Sequence, residues 1–568
     1  MKKIFLILIG CTCANVIKAQ DIQQMVKEKP FKFSGSLSIR NVYMTGSNAL
    51  KGGNQNSIML SGSPTISIYG FDIPLSFNIS PQGQSFQQPF NQYGASPKYK
   101  WLTVHAGYRN ISYNPYTLAG HTMYGVGFDI APKKFRAGVM YGRLATATIL
   151  DTVSESLQPI SFSRKGIAGH IGYQGSKNMI DLSLIVAEDD SSSIGNNLSK
   201  ISQRYGKEIT PSGNIAAGLM AKIQITKNIF WEGNYALSIY TRDLRNPSLL
   251  DATNSGSDIR NLSKKLLQIN QSTEYYNAIQ TAIGFKVKSF GLRLRYLRVQ
   301  PEFKTMGAYF INSDVQNITL MPSFSLLKKK INVNASIGVQ NDNLNKLKRT
   351  TANRIIGSLA VNAMLSKKFL VNANYNNYSI NQVPNVQRIA DTFRITQATQ
   401  NINLTPIYTI TNAKRTNSIL GNINFNTLND FNTSYSATAQ NRTLNTISAL
   451  LSFKQNFTAS KFGYTVGANY NAISGNVLND NNYGGNIGID KSFKNDKLTV
   501  GVTNTVLVGK RNNNTTLTIN AGVQASSKIG KMHHFNIGAF VNNTQLKSAT
   551  TTNNINYLRG DLSYTLNF

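Results

Sequence analysis

The chain has 568 residues, of which 41% are hydrophobic and 15% charged, with 59 Lys plus Arg against 25 Asp plus Glu and a formal charge of +34. A disordered tail is excluded by the strong patterning, a disulfide-stapled miniprotein by the length, and a bundle of apolar helices by a mean hydropathy of −0.23.

The first twenty residues carry Lys2 and Lys3, an apolar run from Ile4 to Gly10 and a small-residue approach to Ala19–Gln20. This is the order of a secretory signal peptide, and the run is too short for a spanning helix. Cleavage after Ala19 leaves 549 residues, and both cysteines, Cys11 and Cys13, leave with the leader. A disulfide framework, a zinc-thiolate site and a cysteine nucleophile are then excluded from the mature chain. Leu8-Ile9-Gly10-Cys11 also resembles a lipoprotein cleavage box, so lipidation on cysteine is the rival reading. Export changes the meaning of the basic charge: nucleic acid is not the expected partner, whereas lipid and lipopolysaccharide phosphates, polysaccharides and anionic solutes are available.

From Phe31 onward, after a short expected periplasmic segment over 20–30, apolar and polar residues alternate. Phe33, Leu37, Ile39 and Tyr43 share one parity, and Lys32, Ser34, Ser36, Ser38 and Arg40 the other. With only about eleven residues expected between the cleavage site and this strand, an N-terminal plug domain of the TonB-dependent kind is not expected. Residues 89–143, PFNQYGASPKYKWLTVHAGYRNISYNPYTLAGHTMYGVGFDIAPKKFRAGVMYGR, resemble a segment near the N-terminus of large, mostly uncharacterised outer-membrane barrels of Bacteroidota. The resemblance implies a barrel and its compartment and transfers no activity. Within it the run from Asn110 to Gly120 is too irregular to span, so 108–121 is expected either to fold into the lumen as a constriction built on Tyr113, Pro115 and Tyr116, or to be an ordinary long turn.

Further along, Thr281, Ile283, Phe285 and Val287 are read as lipid-facing, with Lys286 and Lys288 on the opposite face. Leu292, Leu294 and Tyr296 likewise leave Arg293 and Arg295 inward, and Arg136 and Arg40 hold the same parity in their strands. Charges at membrane depth face water or a partner, so these six are candidate lumenal residues. They either bias a channel toward anions or pair with the few acids and with lipopolysaccharide at the rim. Ile331 to Val339, Leu498 to Val506 and Leu517 to Ala525 repeat the alternation, with Asn, Ser, Thr and Gly on the polar side.

Successive strand side chains point to opposite faces, and segments of about ten residues fit a tilted membrane strand. Short lysine-bearing turns (131–134, 175–178, 226–228, 328–330, 366–368, 491–497) separate longer polar stretches such as 188–212, 242–276 and 379–394. The expected fold is all-β: one transmembrane antiparallel up-and-down barrel over 31–568, of about 24 strands (range 20–26), with short periplasmic turns and long extracellular loops. Strand parity breaks around Tyr108–His121 and again between Ile380 and Arg415. The chain ends LRGDLSYTLNF, with Leu562, Tyr564, Leu566 and Phe568 on one face. This resembles the terminal strand signal read by the outer-membrane barrel-assembly machinery.

No HExxH pairing, nucleophile elbow or carboxylate partner for the five histidines is visible, so no metal site, cofactor or catalysed reaction is expected. The leading expectation is a passive, porin-like outer-membrane channel biased toward anionic or polar solutes. The alternative is a non-catalytic barrel subunit of a secretion or surface-assembly complex.

Overall fold

The computed structural model describes residues 30–46, 55–81, 91–148, 161–194, 209–247, 266–347, 353–382, 395–430, 442–475, 478–493, 496–511, 514–548 and 550–568. The expected leader over 1–19, most of 20–30, and much of the long polar stretches lie outside the described residues.

Twenty-six antiparallel strands pair in chain order and close on themselves. They begin with β1 (Lys32–Ser34 continuing as Ser36–Gly46), β2 (Asn56–Gly62 continuing as Thr65–Ile68), β3 (Phe71–Ile79), β4 (Gln92–Ala95 continuing as Lys98–Tyr99) and β5 (Leu102–Ile111). Next come β6 (His121–Ile130), β7 (Phe135–Ala145), β8 (Ser163–Gln174), β9 (Met179–Asp190), β10 (Gly213–Gln224), β11 (Ile229–Thr241), β12 (Thr273–Val287) and β13 (Phe290–Val299). Then follow β14 (Val315–Leu326), β15 (Ile331–Asn341), β16 (Asn353–Met364), β17 (Phe369–Gln382), β18 (Ile395–Thr411), β19 (Arg415–Asp430) and β20 (Arg442–Phe457). The last six are β21 (Phe462–Gly475), β22 (Asn479–Phe493), β23 (Leu498–Arg511), β24 (Asn514–Ile529), β25 (His533–Lys547) and β26 (Thr552–Asn567).

Closure comes from β1 pairing with β26, in a register from Ser36 opposite Asn567 to Gly46 opposite Tyr557. At this seam Phe568 exchanges backbone hydrogen bonds with Gly35 and stacks on Phe33, ring centroids 4.1 Å apart and 5° from parallel. The count is 26 rather than about 24. Three of the first four strands are interrupted, β1 at Gly35, β2 at Ser63–Pro64 and β4 at Ser96–Pro97, which blurs their alternation. Neither expected parity break survives: Ile111 pairs with His121 across β5 and β6, and 395–411 forms the single strand β18.

Period two becomes an apolar outer wall. Val126, Ile337, Leu451 and Ile487 are each about 60% exposed on the outward face. At a strand spacing near 4.8 Å and a tilt of roughly 40°, a circular cylinder of this strand number is about 50 Å across, far wider than side chains fill. Among the described residues no helix is long and apolar enough to cross a membrane.

The two rims differ. Both ends of the barrel and twelve short connections share one rim, and of those twelve only Tyr69–Gly70 lacks a lysine. Much of the excess positive charge therefore sits in one ring of turns. The opposite rim carries the long connections, although its last three, after β21, β23 and β25, shorten to a few residues.

Candidate functional site

Two connections from the long-loop rim turn inward. The first, 112–120, joins β5 to β6, and the second, 300–314, joins β13 to β14. They meet in a short parallel pairing, Leu118 with Gly307 and Ala119 with Ala308. Loss of alternation at Asn114-Pro115 and at Pro301 is the local reason that neither continues as a strand.

Their polar groups are satisfied by the inward faces of β9 to β11. Asn114 Nδ2 donates to Asn234 Oδ1 (2.9 Å), and Asn114 Oδ1 accepts from the Tyr116 amide (2.9 Å). Thr117 and Ser183 hydroxyls lie 3.0 Å apart, and Thr305 Oγ1 donates to the Thr117 carbonyl (2.9 Å). Ser238 Oγ donates to the Lys304 carbonyl (2.5 Å), and the Met306 amide donates to Asn214 Oδ1 (3.0 Å). Buried backbone that leaves a ladder needs such partners. Around them Leu118, Met123, Met140, Ile185, Phe303 and Met306 are almost fully buried, so a small apolar core lies inside the cylinder on one side. Of the expected constriction residues, Tyr116 packs edge-on against Phe303 at 6.0 Å, and Tyr113 stacks on His170 at 4.3 Å. Pro115 sits in the turn between them. Burial pulls the Lys304 ammonium below its usual range, partly opposed by Glu302.

Beneath Tyr113 runs a hydrogen-bonded row that the sequence did not disclose. Ser96 Oγ and His105 Nδ1 are 2.9 Å apart, and His105 Nε2 and Asp129 Oδ2 are 2.8 Å apart. His170 lies between two carboxylates, with Nε2 3.6 Å from Asp129 Oδ1 and Nδ1 2.9 Å from Asp181 Oδ2. Gly138, on the intervening strand, makes this possible: a Cβ there would stand 1.8 Å from Asp129 Oδ1 and 3.0 Å from His170 Nε2. Two of the five histidines, His105 and His170, thus do have carboxylate partners, contrary to the sequence reading. Those partners stand on neighbouring strands, 11 to 41 positions away in sequence. Asp189, beside three serines in the sequence as a solvated loop residue would be, is placed in a strand instead. It is buried at the end of β9 against Arg164 (2.8 Å) and Ser212 (2.8 Å). Among the described residues no group of three or more His, Cys, Asp or Glu side chains is placed to hold a metal ion.

The six candidate basic residues divide by partner. Arg40 forms a two-point pair with Asp561 (3.0 and 2.6 Å), which also takes Arg559 (2.7 Å). Arg293 pairs with Glu232 (2.5 Å), which also takes Lys222 (2.8 Å). Arg295 lies between Leu294 and Tyr296 on the inward face, its Nε buried without a hydrogen-bond partner. Arg136 and Lys286 stand exposed on inward positions close to the short-turn rim. Lys288 is a correction: β12 ends at Val287, and Lys288 lies in the two-residue turn to β13 with a φ of 25°, so it belongs to the rim and not to a strand face.

The wall from β21 to β26 and on to β1 has a different character. Its inward positions are mostly Asn, Thr, Ser, Gly and Gln, broken by Met44, Leu507, Phe540 and Tyr557, with Asp480, Asp490 and Asp561 opposed by Arg511, Lys454 and Arg40.

No family model matches the sequence, and no curated protein matches it. Among solved structures, the chain is similar to the P pilus usher PapC translocation pore (10% identity, 94% of this chain and 99% of that one, TM-score 0.37). It is also similar to the FrpB iron transporter of Neisseria meningitidis (10% identity, 97% and 83%, TM-score 0.39) and to OccAB3 of Acinetobacter baumannii (13% identity, 69% and 98%, TM-score 0.28). These similarities are low, and the fold stands on the strand register itself.

Proposed function

We propose that the chain is a passive, porin-like channel of the bacterial outer membrane whose lumen favours anionic or polar solutes. The observation that carries this reading is the division of the closed wall. Apolar side chains point outward all the way round, while the inward face from β21 to β1 is hydrophilic and faces a wide interior. The two inward connections act in this reading as a partial plug against β5 to β14. Anion preference follows from the imbalance of lumenal charge. Asp561 and Glu232 each meet two cations, and Arg136, Lys286 and Arg295 have no carboxylate against them in any ion pair of the described residues. A wall with surplus Arg and Lys raises the local anion concentration. The short-turn rim would face the periplasm, and the terminal strand would serve the assembly machinery. The purified full chain in a planar bilayer under a potassium chloride gradient tests the reading. An anion-selective reversal potential supports it, and a cation-selective one overturns the charge argument.

A further inference from the structure

In the hydrophilic wall one large apolar ring stands on the inward side. Val541 and Ile537 of β25 point out, about half exposed, and Phe540 therefore points in. It faces Gly522 across the β24–β25 pair, with Gly538 two residues before it on the same face. A Cβ on Gly522 would lie 2.6 Å from Phe540 Cδ1, and one on Gly538 would lie 2.7 Å from Cε2. Both edges of the ring thus rest where side chains would otherwise be. The ring is half-buried against the wall over these two glycines and borders the lumen.

Phe540 and Asp561 line two adjoining open depressions of about 510 and 400 Å³. Gln524 and Asn536 border the larger, together with Arg40 in its pair with Asp561. Asn520 and Asn542, bonded to each other, border the smaller. Gln524 makes no side-chain hydrogen bond among the described residues, so its amide is available. The carboxylates here are all met by cations, Asp561 by Arg40 and Arg559 and Asp490 by Lys454, so the surface offers both donors and acceptors to hydroxyls.

We infer that this platform is a binding subsite for a pyranose ring of a neutral oligosaccharide passing along the lumen. A pyranose has an apolar C–H face and an equatorial rim of hydroxyls. The first matches an exposed aromatic face, and the second matches planar amides, a carboxylate and a guanidinium at its edge. A half-buried phenyl ring in a wet wall gains from such cover, and the two glycines leave it room against the wall. The inference deepens the channel reading and rests on it for a wet lumen.

The test uses the full chain refolded in detergent micelles, titrated with maltohexaose and with cellohexaose by saturation-transfer NMR and calorimetry. Wild type should bind at least one of them, with saturation strongest on ring C–H protons. Phe540→Ala should weaken binding by up to about tenfold, Phe540→Tyr should retain it, and Gly538→Val, which lifts the ring, should behave like Phe540→Ala. Wild type that binds neither sugar, or Phe540→Ala that binds as wild type does, overturns the proposal. Because micellar binding needs no current, a conducting channel that ignores both sugars defeats this site alone. A sugar-binding barrel that conducts nothing defeats the channel reading alone.

Discussion

Undocking the inward segment 112–120 is the perturbation with the clearest arithmetic. Leu118 is wholly buried inside the cylinder, and Asn114 is 1% exposed with its amide spent on Asn234 and its carbonyl on the Tyr116 amide. Leu118→Ala should cost about 2–5 kcal/mol of docking, from lost transfer free energy and the cavity left behind. Asn114→Ala leaves the buried Asn234 amide unpaired and should cost about 1–3 kcal/mol more. Even a combined loss of about 3 kcal/mol shifts the docked-to-undocked ratio by roughly a hundredfold. Neither residue belongs to the 26-strand ladder, so the barrel should still migrate as a heat-modifiable folded band. The expected result for the double variant is a larger or newly stepped single-channel conductance, with faster hydrogen exchange confined to 112–120 and its partner 300–314. Wild-type conductance together with wild-type exchange would refute the docking argument.

Three further outcomes are expected. Asp129→Asn removes the carboxylate shared by His105 and His170 and should lower barrel stability by about 1–2 kcal/mol, read as a lower melting temperature; the value is modest because Asp129 keeps some solvent. Neutralising Arg136 and Lys286 together to Gln should reduce the anion-to-cation permeability ratio by roughly twofold, measured from reversal potentials; an unchanged ratio would place the selectivity elsewhere. Phe568→Ala removes the stack on Phe33 at the seam and should lower the yield of protease-resistant barrel in assembly assays, while barrels that do form keep wild-type conductance.

What the sequence disclosed depended on range. Alternation is a property of neighbours, so strands such as Leu498–Arg511 and Asn514–Ile529 are visible in any window of ten residues. Arg40 and Arg293 could be assigned a face for the same reason, but not their partners, since Asp561 lies at the far end of the chain. Tyr113 and Tyr116 stood out through the irregular run that holds them. The 300–314 segment that docks beside them is marked in the sequence only by Pro301 and the loss of period two after Val299. The Ser96–His105–Asp129–His170–Asp181 row needed the registers of five strands and a glycine at 138. Phe540 was overlooked because its meaning depends on Gly522, a cross-strand neighbour.

The most direct measurement of the whole account is a cysteine scan along β23. Both cysteines of the chain lie in the first thirteen residues, so in a chain expressed from Gln20 onward single cysteines can be placed from Val500 to Val506 without background. With nitroxide labels on the barrel reconstituted in lipid vesicles, oxygen accessibility should peak at Val500, Val502 and Val506. A water-soluble nickel chelate should instead reach Gly501, Thr503 and Thr505. The opposite phase, or no period of two, would contradict a cylinder that shows its apolar side chains to lipid and encloses water.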